Sequence, residues 1–133
     1  MMGNLLSRDD ILSAPDILVE RVDVPEWGGT VLVMGMSGVE RDAFEEESLV
    51  GKGKKREVNL HNLRARLVAR SIVDEKRQRI FTESDAEALG KKSAAALQRV
   101  FNVAQRMAGL SDEDVEELAK NSESAPKGAS TSD

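Results

Sequence analysis

The 133-residue sequence contains no cysteine and no tyrosine, and only one histidine, one tryptophan, three phenylalanines and three prolines. Without cysteine there can be no disulfide, no thiolate metal site and no thiol nucleophile. With so few aromatics, the core has to come from Leu, Val, Ile, Ala and Met. A lone histidine, His61, cannot assemble a histidine-based metal site, and its position beside Asn59 and Asn62 in a helical stretch reads as a partly exposed helix residue. No apolar run approaches the ~18 residues that span a membrane. Met1–Asp10 lacks the basic start and apolar block of a secretory signal, so the expected compartment is the cytoplasm.

Catalytic motifs are missing too. Gly51-Lys52-Gly53-Lys54-Lys55 is glycine- and lysine-rich but has neither the spacing of a phosphate loop nor an apolar strand before it. There is no HExxH, GxSxG or EF-hand pattern. The acidic run Glu45-Glu46-Glu47 falls on a predicted solvent-facing helix surface, where nothing would tune a carboxyl for acid–base work. The expectation is a protein that is not an enzyme and holds no metal or cofactor.

Charge is present, but in bands. Residues 1–50 carry three basic and eleven acidic side chains, residues 51–81 ten basic and three acidic, and residues 111–133 two basic and seven acidic. Such banding fits solvated helix faces, internal pairing or an anionic partner. The basic segment 52–70 therefore keeps a second reading open: a small helical nucleic-acid-binding, regulatory protein whose Lys and Arg side chains contact phosphates. Against it stand the acidic net charge of −5 and a helix over 94–108 whose only cations are Arg99 and Arg106.

Periodicity gives an α+β fold: an N-terminal β-hairpin, a small, mostly helical bundle, and a disordered C-terminal tail. Ser7, followed by Asp9 and Asp10, marks a short helix over about 8–13 that Pro15 ends. Alternation over 17–24 and the β-branched run 30–36 flank Pro25-Glu26-Trp27-Gly28-Gly29, a turn sequence, so the hairpin spans about 17–36. Ser37 and Glu40 make a capping box for a helix over 38–48. Gly51 to Arg56 reads as a solvated loop. Further helices are expected over 59–72, 83–90, 94–108 and 112–120, with a possible small hairpin over 73–81 and Gly109 as a left-handed cap. The domain is then 1–120, and 121–133, without an apolar anchor, forms the tail. The stripe Leu97, Val100, Phe101, Ala104 and Met107 is the cleanest amphipathic pattern in the chain. Together with Trp27 at the hairpin tip, whose alternative role is to cap the end of the core, it is the candidate partner-binding set.

The order of these segments resembles the tail assembly chaperones of long-tailed, siphovirus-like bacteriophages and prophages. The resemblance rests on Leu6-Ser7-Arg8-Asp9-Asp10-Ile11-Leu12, on Val24-Pro25-Glu26-Trp27-Gly28-Gly29-Thr30-Val31, and on Gly35-Met36-Ser37-Gly38-Val39-Glu40-Arg41-Asp42. It continues through Asn62-Leu63-Arg64-Ala65-Arg66-Leu67-Val68, Phe81-Thr82-Glu83-Ser84-Asp85, Ala86-Glu87-Ala88-Leu89-Gly90 and Leu110-Ser111, covering about residues 5–120. One departure is Asp74–Arg79, which has no glycine where the family's turn would have one. The resemblance implies a non-catalytic protein of the bacterial host cytoplasm, absent from the mature virion. It also implies that the protein binds the tape measure protein, keeps it soluble and helps recruit the tail tube (major tail) protein. Members are often made in two lengths by a programmed ribosomal frameshift. Ala125-Pro126-Lys127 is a tripeptide whose codons can form a slippery heptamer, which makes a frameshifted longer form of the chain a further expected partner.

Overall fold

A computed structural model describes residues 4–50, 57–58 and 62–110 of the chain. Helix α1 spans Arg8–Ser13. Strands β1 (Val19–Val24) and β2 (Gly29–Met34) form the expected antiparallel hairpin, in register from Val19 opposite Met34 to Val24 opposite Gly29. The turn works as its residues demand: Pro25 opens a single 3-10 turn, Pro25–Trp27, and Gly28 closes it at φ 76°, a left-handed conformation that costs glycine nothing. Helix α2 (Gly38–Glu47) starts at the reciprocal Ser37–Glu40 box, with both hydrogen bonds near 3 Å. A two-stranded ladder follows, β3 (Leu49–Val50) against β4 (Glu57–Val58), which the sequence pattern had not assigned. Helix α3 is Leu63–Ser71, α4 is Ala86–Gly90 after a 3-10 turn at Glu83–Asp85, and α5 is Ala94–Met107.

One expected boundary is corrected. The helix over 59–72 ends at Ser71, and Ile72–Val73 forms a third strand, β5, paired with the centre of β2 as Val33 opposite Ile72 and Leu32 opposite Val73. The apolar run into Ile72 satisfies helical spacing, but a fully buried β-branched pair beside an open strand edge gains more as a strand. The sheet order is therefore β1-β2-β5. Beyond β5 the small hairpin forms without a glycine. Asp74 Oδ1 accepts from the backbone amides of Lys76 (2.8 Å) and Gln78 (3.0 Å), and Arg77 takes the left-handed position at φ 66°. The helix expected over 112–120, the tail 121–133, the loop 51–56 and His61 lie outside the described residues.

Helix α5 holds the fold together. It packs against both hairpin strands and against α3, and its apolar stripe meets Val24, Val33, Leu67, Val68 and Ile72 in one buried cluster. Each fully buried aliphatic side chain of this cluster is worth roughly 1.5–3 kcal/mol of transfer free energy. The closeness of α5 to the sheet depends on Gly35, where a Cβ would lie 2.8 Å from the carbonyl oxygen of Met107. The helix ends as expected: Gly109 sits at φ 79°, the Leu110 amide reaches back to the Gln105 carbonyl at 3.0 Å, and Leu110 is buried.

Candidate partner-binding site

The structure divides the candidate set in two. Leu97, Val100, Phe101 and Ala104 are buried, on the face of α5 that makes the core, so in this conformation they are structural. Met107 and Trp27 are half-buried and pack on the rim of that core. The same helical periodicity describes a core stripe and a docking stripe, and only the packing of α5 on the sheet separates the two.

Two concave features lie around these residues. The first is an open groove of about 660 Å³ between the start of α3 and the first turns of α5. Leu63, Arg64 and Ala65 line one wall, and Leu97, Gln98 and Phe101 the other. The Arg64 guanidinium stacks 5.7 Å from the centroid of the Phe101 ring, so the rim is cationic over an apolar floor. Among the described residues no acidic side chain lines this groove. The second is a notch of about 280 Å³ at the tip of the hairpin, formed by Trp27, Phe81, Ala88 and Leu89, with Asp85 and Lys92 at its edges. Trp27 is held there by the Pro25–Gly28 turn, and its indole Nε1 is buried with no hydrogen-bond partner among the described residues. Of these six residues only Trp27 was singled out from the sequence. Phe81, Ala88 and Leu89 come from a loop and a five-residue helix far along the chain, with no periodic signal to mark them.

The described cations of the basic band are mostly engaged within the protein. Arg70, nearly buried, hydrogen-bonds Glu47 on α2 and Glu83 before α4. Arg66 Nη1 donates to Ser48 Oγ at 3.1 Å, and burial pulls its pKa below the ordinary arginine value. Arg99 and Arg106 on α5 reach across to Glu26 and Glu20 of the hairpin, each at 2.9 Å. Both cations of α5 are thus paired with carboxylates of the hairpin. Lys52, Lys54, Lys55 and Arg56 lie outside the described residues.

Among the described residues no grouping of three or more His, Asp or Glu side chains is placed to hold a metal ion, and no helix is long and apolar enough to cross a membrane. Large aliphatic side chains lie open to solvent at Leu5, Leu6, Ile11, Leu12, Leu18, Val39 and Ile80.

A family model of phage tail assembly chaperones matches residues 15–121. The chain belongs to that family. The match takes in the hairpin, both concave features and α5, and it begins after α1. No curated protein and no solved structure matches the chain. Membership makes the protein a chaperone of phage tail assembly, with phage tail proteins as its partners.

Proposed function

We propose that this chaperone binds the tape measure protein before the tail tube polymerises round it, keeps that long helical protein soluble, and helps bring tail tube subunits to it. It does so in the host cytoplasm, without catalysis, and is left out of the mature virion. The observation that carries the reading is the groove between α3 and α5. It is open, apolar at its floor through Leu63, Leu97 and Phe101, and cationic at its rim through Arg64. An amphipathic helix with an acidic flank fits such a surface, burying its apolar stripe while the rim sets its direction. A longer product, arising by a frameshift at codons for Ala125-Pro126-Lys127, would carry the same groove with a further segment appended.

Co-expression tests this directly. The tape measure protein should move from the pellet to the soluble fraction when this chain is present, and the two should co-purify. Recovery no better than with an unrelated acidic protein would overturn the reading. The gene and the −1 frame test the longer product: codons that cannot form a slippery heptamer between 121 and 133 would remove it.

A further inference from the structure

The groove between α3 and α5 suits a segment of this same chain. Helix α5 ends in a fixed turn: Gly109 stands at φ 79°, the Leu110 amide bonds the Gln105 carbonyl at 3.0 Å, and Arg41 Nη1 donates to the Gly109 carbonyl at 3.1 Å. Leu110 is buried there, and Ser111 is the N-cap expected for a helix over 112–120. Ala108 to Ser111 alone separate that expected helix from α5, and two helices joined by so short a link lie antiparallel, side by side.

The pattern of that segment is the one the groove selects. At helical spacing Val115, Leu118 and Ala119 share one face, and Asp114 and Glu116 flank it on either side, each about 100° from Val115. The groove offers the complement: a floor of Leu63, Leu97 and Phe101, a cationic rim at Arg64, and no acidic lining among the described residues. Arg64 stacks on the Phe101 ring and pairs with no carboxylate among those residues, so its charge is open to a partner. The segment also reaches. Phe101 lies about 9 Å before Met107 along the axis of α5, and Leu118 lies about 9 Å past Asp112 on a helix running the other way, so the two come level. Arg64, against the same ring, then stands level with the acidic flank.

We propose that residues 112–120 cover the groove of their own chain until a client helix displaces them. The inference rests on reading the groove as the client site, and adds what fills it before the client arrives. Tethering through the link at Ala108–Ser111 gives the cover a high effective concentration at the groove. A nine-residue helix is marginal in water on its own, so the cover holds by docking and gives way to a longer helix that buries more surface. The apolar floor is thereby shielded from chance contacts, and a groove covered nine-tenths of the time binds its client about tenfold more weakly than an open one.

The test uses the full chain, which has no cysteine of its own. Gln98→Cys, in the groove, is combined with Ala119→Cys or with Ser122→Cys, one turn further along the same face. On mild oxidation at least one of these pairs should close within the chain, giving a monomer of faster mobility on a non-reducing gel. Amide hydrogen exchange over 116–120 should be slowed at least about tenfold relative to the free peptide. The slowing should vanish in Leu118→Asp and shrink in Arg64→Glu. Wild type and Leu118→Asp, carrying different tags, are then expressed together with a limiting amount of the tape measure protein. The variant should be enriched in the complex, by about tenfold for a groove covered nine-tenths of the time. Disulfides that form only between chains, amides at 116–120 that exchange at the free rate in wild type, or a slowing indifferent to Arg64→Glu would each overturn the proposal. So would equal recovery of wild type and Leu118→Asp, since the client would then meet no cover. Failure of the client reading looks different: the disulfide closes and the slowing is present, yet no variant recovers the tape measure protein. The cover then stands, and the tape measure protein is not what displaces it.

Discussion

Arg99 and Glu26 meet across 73 residues of sequence in a two-pronged contact, Nε to Oε1 at 3.3 Å and Nη2 to Oε2 at 2.9 Å. Seven positions on, two turns along the same face of α5, Arg106 donates to both carboxylate oxygens of Glu20 at 2.9 and 3.1 Å. The helix is thereby clipped to the hairpin at the turn and near the start of β1. Hydrogen bonding to Arg99 lowers the Glu26 pKa below its ordinary 4.5, and the same bond raises that of Arg99. A depressed carboxyl stabilises the fold above its ordinary value and stops doing so as pH falls through the depressed one. Both partners are solvent-exposed, so the effect is small and screened. Glu26→Gln should lower the melting temperature slightly in low salt, and the difference should vanish in about 1 M salt, where the screening length is ~3 Å. A deficit that survives high salt would mean that Glu26 acts through packing instead.

Arg70 links a pair of carboxylates whose titrations run in opposite directions. For Glu47, desolvation is the largest influence and pushes upward, but hydrogen bonds from Arg70 and with Glu83, and the charges of Arg70 and Arg66, bring the pKa net below 4.5. Glu83 is raised above 4.5, chiefly by its hydrogen bond to Glu47 and by that carboxylate's charge. The signs follow from linkage. Glu47 stabilises above its ordinary value, and this is lost as pH falls through the lowered one. Glu83 costs stability at neutral pH, and the cost disappears as pH falls through its raised value. Melting curves between pH 7 and 3.5 should therefore show Glu47→Gln less stable than wild type at neutral pH, its deficit shrinking below about 4.5. Glu83→Gln should equal or exceed wild type at neutral pH and lose that advantage on acidification. The same trend for both variants would show that the two acids are not coupled through Arg70.

The hairpin and α5 were legible because their signals are local. Val22 and Val24 alternate with Arg21 and Asp23, Pro25 and Gly28 name their turn, and α5 keeps one apolar face for fourteen residues. Ile72 was read as helix because Leu67, Val68 and Ile72 suit a helical period; what makes it a strand is Val33, distant in sequence, offering an open edge. The Trp27–Phe81 notch was half visible. Trp27 stands out as the single tryptophan, while Phe81, Ala88 and Leu89 acquire a role only when the loop before α4 folds against the hairpin tip. Exposure was the other thing the pattern could not give: Leu97 and Ile11 are equally apolar letters, one in the core and one in solvent.

Arg77 offers a test of backbone conformation separate from side-chain contacts. It occupies φ 66°, a region that costs a side chain with a Cβ roughly 1–2 kcal/mol relative to glycine, and its guanidinium also bonds the Ile17 carbonyl. Arg77→Ala keeps the strain and loses the bond, whereas Arg77→Gly loses the bond and removes the strain. Urea titrations should accordingly place Arg77→Gly about 1 kcal/mol above Arg77→Ala. Equal stabilities would show that the turn does not hold this conformation in solution.

Phe101 and Arg64, stacked on each other, separate fold from recognition. Phe101 is 5% exposed at the centre of the α5 core, and truncating such a ring to alanine costs ~3–5 kcal/mol, a large part of what a domain of this size has. Phe101→Ala should therefore lose the tape measure protein chiefly because it unfolds, and part of the client binding should return where the variant is stabilised, at low temperature or in an osmolyte. Arg64 lies on the outside of the same contact. Arg64→Glu gives up a stacking worth ~0.5–1 kcal/mol, so the melting temperature should fall by no more than a few degrees. It also turns the groove rim from cationic to anionic, facing an acidic-flanked helix with like charge. Capture of the tape measure protein from co-expressing cells should drop steeply for Arg64→Glu while the protein stays folded, and Arg64→Lys should keep most of it. If Arg64→Glu and wild type recover the client equally, the groove between α3 and α5 is not where the client binds, and the stripe on α5 serves the core alone.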